Sequence, residues 1–161
     1  MCIRDSISTD APTIYDAVRG ATKRLQTSST GAESTKTNGL TAFGSDGYTA
    51  GSASAINANG SNLVSWNWKA GGGQGSSNTD GTITSTVSAN QTAGFSIVKY
   101  TGTGAIATVG HGLGVAPKMI IAKGLEVTNN WLVYHPTTGN NKALALQDLS
   151  LIHISEPTRP Y

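Results

Sequence analysis

The stretch Phe95-Ser96-Ile97-Val98-Lys99-Tyr100 decides the fold class. Four of its six residues, Phe95, Ile97, Val98 and Tyr100, are β-branched or aromatic, with no helix-favouring run. Thr92-Ala93-Gly94 stands before them, and Thr101-Gly102-Thr103-Gly104 breaks the chain after them. A short β-forming run between turn residues is a strand, since strands are far shorter than helices. The same text recurs outward in both directions. Thr82–Val87 is β-branched and alternating, and Ala107-Thr108-Val109 is a shorter strand. Lys118–Lys123 reads as an apolar strand buried on both faces. Trp131–Tyr134 and Ala143–Leu146 complete that side. Towards the N-terminus lie Thr13–Asp16, Thr22–Gln26, and a hairpin in which Leu40–Phe43 and Tyr48–Ala50 flank Gly44-Ser45-Asp46-Gly47. An Asp-Gly pair between alternating segments marks a hairpin turn. Asn62–Lys69 is the strongest strand of this half. Its alternation places Val64, Trp66 and Trp68 on one face and Leu63, Ser65, Asn67 and Lys69 on the other. No window carries a sustained 3.6-residue apolar stripe. Short, evenly spaced strands predict an all-β chain, an antiparallel β-sandwich of jelly-roll or concanavalin-like type.

Composition agrees. Charged residues are 12% of the 161-residue chain, and glycine contributes 20 residues. Ser, Thr, Asn and Gly are poor helix formers and suit tight turns. The net charge of +2 is too weak to argue for nucleic acid or an anionic membrane as partner.

The ends read differently from the middle. Met1-Cys2-Ile3-Arg4-Asp5-Ser6 is encoded by ATG TGT ATA AGA GAC AG(N). The reverse complement of that word, read as CTG TCT CTT ATA CAC AT(N), encodes Leu149-Ser150-Leu151-Ile152-His153-Ile154. Both ends therefore resemble translated sequencing-adapter DNA: residues 1–6 as one tail and 149–161 as the other. Removing Arg4, Arg159, Asp5 and Glu156 takes equal numbers of each sign, so the charge is unaltered. The one cysteine, Cys2, lies in such a tail, which leaves no disulfide or thiolate metal site between them.

Tyr15-Asp16-Ala17-Val18-Arg19-Gly20-Ala21-Thr22-Lys23-Arg24-Leu25 aligns with Tyr134-His135-Pro136-Thr137-Thr138-Gly139-Asn140-Asn141-Lys142-Ala143-Leu144. Tyr, Gly, Lys and Leu fall in one register at an offset of 119 residues (134 less 15). The expected organisation is one permuted module built from two partial repeats. Residues 7–70 are the C-terminal part of one copy and 82–148 the N-terminal part of the next. Residues 71–81, with Gly71-Gly72-Gly73-Gln74-Gly75-Ser76-Ser77, form a Gly/Ser-rich linker or loop. In this arrangement Phe95–Tyr100 and Lys118–Lys123 should pair or pack with Asn62–Lys69.

An ordered set of motifs runs through the chain. It comprises Tyr15-Asp16…Arg19-Gly20-Ala21-Thr22-Lys23, Ser45-Asp46-Gly47-Tyr48-Thr49 and Asn59–Gly71 around Trp66-Asn67-Trp68. It continues with Thr92-Ala93-Gly94-Phe95-Ser96-Ile97-Val98 and Val109-Gly110-His111-Gly112-Leu113-Gly114…Pro117-Lys118-Met119-Ile120-Ile121. The set resembles a repeated module of tailed-phage tail-fibre and related virion structural proteins. That resemblance implies a lectin-like sandwich and a place on the virion, outside the cell. It implies neighbouring repeats or other fibre subunits, and a host-surface carbohydrate, as partners. His135 departs from the pattern, since an acidic residue would match Asp16.

Chemistry is sparse. His111 has no partner motif that would make it a catalytic base, and a hairpin role is the stronger reading. His135 stands in the same position. His111, His135 and His153 have no metal-ligand spacing, so neither metal nor cofactor is expected. Asp16, Glu33, Asp46, Asp80, Glu126 and Asp148 could supply a glycosidase pair, but nothing in the sequence pairs them. Gly71–Gly75 lacks the Lys-Ser/Thr of a phosphate loop. The aromatics remain. Trp66 and Trp68 read first as core, with sugar stacking the alternative, whereas Trp131, beside Thr128-Asn129-Asn130, reads as exposed. Trp131, Tyr134, Trp66 and Trp68 are therefore the candidate ligand-binding residues. The expected function is a non-enzymatic structural and binding module of a phage fibre. A glycan-processing enzyme domain and a bacterial adhesin repeat are the alternatives.

Overall fold

A computed structural model describes residues 11–139 and 141–147. The adapter-like tails, Asp148 and His153 lie outside the described residues. The fold is all-β. Its strands are β1 (Thr13–Asp16), β2 (Gly20–Gln26), β3 (Ser34–Thr35), β4 (Leu40–Gly44), β5 (Gly47–Ala50), β6 (Ser76–Asn78), β7 (Ser85–Asn90), β8 (Phe95–Tyr100), β9 (Ile120–Ala122), β10 (Leu132–Tyr134) and β11 (Leu144–Ala145). One helical turn, α1 (Ser54–Asn57), buries no side chain.

Among the described residues the strands form small sheets in the orders β1-β2-β3, β4-β5, β6-β7-β8 and β11-β10-β9. The Phe95–Tyr100 strand is β8, paired antiparallel with β7 from Ser85↔Tyr100 to Asn90↔Phe95. The Asp-Gly hairpin forms with Gly44↔Gly47 closing the Ser45-Asp46 turn and an irregularity between Leu40 and Ala42.

The chain divides into two compact units. Among the described residues, unit 1 holds 11–14, 25–34, 118–139 and 141–147, and unit 2 holds 15–24 and 35–117. Unit 2 contains the β4–β5 hairpin and the β6-β7-β8 sheet, with Val18, Leu40, Ala53, Val87 and Leu113 buried. Ser85 and Ser88 are buried there too, and their hydroxyls donate to Gly110 O and Gly72 O. Buried hydroxyls are tolerated when so paired. Unit 1 contains the β9-β10-β11 sheet, with Leu25, Trp131 and Val133 buried.

Four sequence expectations are corrected. Asn62–Lys69 is not a strand: it has no ladder partner, and Leu63, Val64, Trp66 and Trp68 are all exposed. The expected pairing of β9 with that segment is replaced by β9–β10, with Val133↔Ile121 at its centre. β9 itself is exposed at Ile120 and Ile121 rather than buried on both faces. Residues 71–81 are not a plain linker, because they include β6, paired Ser76↔Val87 to Asn78↔Ser85. Gly75, at φ +84°, makes this possible: a Cβ there would meet Val87 O at 2.8 Å. A glycine run lets backbone approach backbone as readily as it lets a chain flex.

Candidate functional site

Trp66 and Trp68 stand 67% and 68% exposed, in a segment that also leaves Leu63 and Val64 to solvent. Two anchors hold the segment to the β7–β8 hairpin. Trp68 stacks on Phe95 with centroids 6.2 Å apart and planes at 22°. Just beyond it, Asn90 Nδ2 donates to Lys69 O at 3.2 Å. Asn67 Nδ2 donates to Ser65 Oγ at 3.1 Å between the indoles. Exposed large apolar side chains thus recur through Leu63–Trp68.

Trp131 is the opposite case. Sequence reading had it exposed, but it is 4% exposed. Its indole Nε1 donates to Gln26 O and Ser29 O, both at 3.1 Å, and its backbone N–H donates to Gln147 Oε1 at 2.9 Å. A buried indole needs a partner for its N–H, and here it has main-chain oxygens. Trp131 thus belongs to the interior of unit 1 and is not available to a ligand. Tyr134, at the end of β10, is half-buried in the same unit. The structure leaves Trp66 and Trp68 exposed in one segment of unit 2 and places Trp131 and Tyr134 in unit 1.

Several titratable groups serve local structure. Asp16 is engaged by Arg19, whose Nε and backbone N–H both donate to its carboxylate. Asp80 Oδ2 accepts from Asn78 Nδ2 at 2.8 Å in a turn. His111 Nδ1 accepts from Leu113 N at 3.2 Å, and His135 caps the 3₁₀ turn Pro136–Thr138, so both histidines serve local turns as expected. No cluster of three or more His, Cys, Asp or Glu side chains exists among the described residues. An open depression of about 460 Å³ in unit 2 is lined by Gln74, Ser77, Thr86, Lys99 and Tyr100, with no carboxylate or imidazole. Lys123 Nζ donates to Gly124 O and Asn129 Oδ1, both at 2.8 Å, and to Val127 O at 3.3 Å. Burial lowers its pKa from the usual lysine range.

A family model described as a domain of unknown function, DUF7483, matches residues 2–155. The chain belongs to the DUF7483 family. The DUF7483 match runs through both units and into both stretches that resemble adapter. No curated protein and no solved structure matches the chain.

The expected packing of Phe95–Tyr100 with Asn62–Lys69 is met by the Trp68–Phe95 stack. The carbonyls of Gln26 and Ser29 as acceptors for Trp131 left no trace in the sequence, because a carbonyl is common to every residue.

Proposed function

We propose that this chain is a structural and binding module of a phage tail fibre or related virion appendage, used in tandem and recognising host-surface glycans. On this reading the small sheets belong to a lectin-like sandwich, and the module works at the virion surface, without catalysis, cofactor, nucleic acid or membrane. The observation that carries the binding role is the exposure of Trp66 and Trp68 beside Asn67 and Ser65. An indole face covers the apolar face of a sugar ring, and neighbouring amides and hydroxyls can meet its hydroxyl groups. Aromatic rings with few rotatable bonds bind at low entropic cost. The resemblance of the ordered motifs supplies the fibre context.

The test is a glycan array of bacterial surface polysaccharides, followed by titration of tryptophan fluorescence with the best ligand. Trp66→Ala combined with Trp68→Ala should weaken binding at least about fivefold, since the two rings together carry about 1–3 kcal/mol of contact. Stability should hardly change, because neither ring is buried. Undiminished binding by the double variant, or no glycan bound by the parent chain, overturns the reading.

A further inference from the structure

Two hairpins of this chain share one register. In the first, Thr27 N donates to Pro12 O at 3.1 Å, beyond the ends of β1 and β2. In the second, Leu146 N donates to Trp131 O at 3.0 Å, beyond the ends of β10 and β11. The second bond lies 119 residues (131 less 12, 146 less 27) after the first at both of its ends. This is the offset at which the tyrosines, glycines, lysines and leucines coincide. The turns agree as well. Gly20 and Gly139 both have positive φ, +108° and +75°. The equivalent main-chain donors bind the residue that follows each tyrosine: Arg19 N donates to Asp16 Oδ1 at 2.8 Å, and Thr138 N to His135 O at 3.0 Å. At His135 the acceptor of that bond is the carbonyl, where Asp16 uses its carboxylate.

The second hairpin is clasped to the chain that leaves the first. Trp131 Nε1 donates to Gln26 O and Ser29 O, Asn129 N to Thr30 O at 3.1 Å, and Leu125 O accepts from Glu33 N at 2.7 Å. All of these residues lie in unit 1. The receiving segment contributes only main-chain atoms to these bonds, so another copy could offer the same groups with a different sequence. Position 12 is proline where the second hairpin has Trp131, which gives the clasp a direction.

We infer that residues 12–27 and 131–146 are one hairpin in two consecutive copies of a module, and that the Trp131 clasp is the joint by which one copy locks onto the next. The partner for this surface is a second copy of the same module. Repeat proteins hold together through such nearest-neighbour contacts. This inference does not rest on sugar binding, so failure of the Trp66/Trp68 test leaves it standing.

The test has two arms on the full chain. In the first, residues 134–144 are replaced by the sequence of 15–25, and, in a separate chain, by the sequence of 14–24, one residue out of register. The in-register exchange should keep a cooperative melt within about 4 °C of the parent, and the shifted one should lose about 10 °C or more. Equal behaviour of the two, or a worse melt for the in-register chain, overturns the equivalence. In the second arm, Thr30→Cys and Asn129→Cys are combined with Cys2→Ser. A main-chain hydrogen bond brings these positions within range of a disulfide. Oxidation should consume both thiols in a monomer. Persistent free thiols, or closure only between chains, overturn the clasp.

Discussion

Replacing Trp131 by alanine should lower the melting temperature by about 10 °C, the largest single-residue effect expected among the described side chains. Three losses coincide. The indole is buried at 4% exposure, and truncating a buried Trp costs about 3–5 kcal/mol. Its N–H is the donor to Gln26 O and Ser29 O. Among the described residues of unit 1 the other buried hydrophobics are Leu25 and Val133, which leaves little to compensate. In a chain of this length each kcal/mol moves the midpoint by about 2–4 °C. Trp131→Phe separates the causes. It keeps most of the apolar area but no donor, and should cost about 1–2 kcal/mol. Thermal melts followed by circular dichroism decide the matter. A Trp131→Ala chain that melts with the parent would show that the indole does not anchor unit 1.

The second large effect is expected at Gly75. Substitution by alanine meets two obstacles. Its φ of +84° disfavours any L side chain, and the added Cβ would lie 2.8 Å from Val87 O and 2.9 Å from Val87 C. Those are main-chain atoms of β7 and cannot swing aside without breaking the β6–β7 ladder. The combined cost should be about 2–4 kcal/mol, or about 5–10 °C. Gly72 is the matched control. Its φ is +89°, but a Cβ there meets nothing within 4 Å, so Gly72→Ala should cost only about 1 kcal/mol. Similar melts for the two variants would mean that residues 71–81 do serve as a linker and that β6 is not a fixed part of the sheet.

These two positions also show where sequence reasoning stopped. The glycine run was legible, but its meaning was not. Glycine permits flexing and close approach alike, and only a second segment, here β7, decides between them. The hairpin at Ser45-Asp46 and the strand Phe95–Tyr100 were legible because each depends on neighbours in the chain. The tryptophans were read the wrong way round. Asn62–Lys69 alternates as a half-buried strand would, yet no strand pairs with it, and Trp66 and Trp68 stay exposed. Trp131 sits among polar residues, yet carbonyls from about a hundred residues earlier receive it.

The all-β class, most strand positions, the turns, and the 119-residue offset shared by Tyr15, Gly20, Lys23 and Leu25 with Tyr134, Gly139, Lys142 and Leu144 are therefore legible in the residues alone. All of these follow from local backbone preference and from side-chain order along the chain. Tertiary structure alone decided which aromatic face is covered, which glycines are packed, and that the second hairpin clasps the chain leaving the first. Burial is a property of two surfaces, and the periodicity of one strand records only its own.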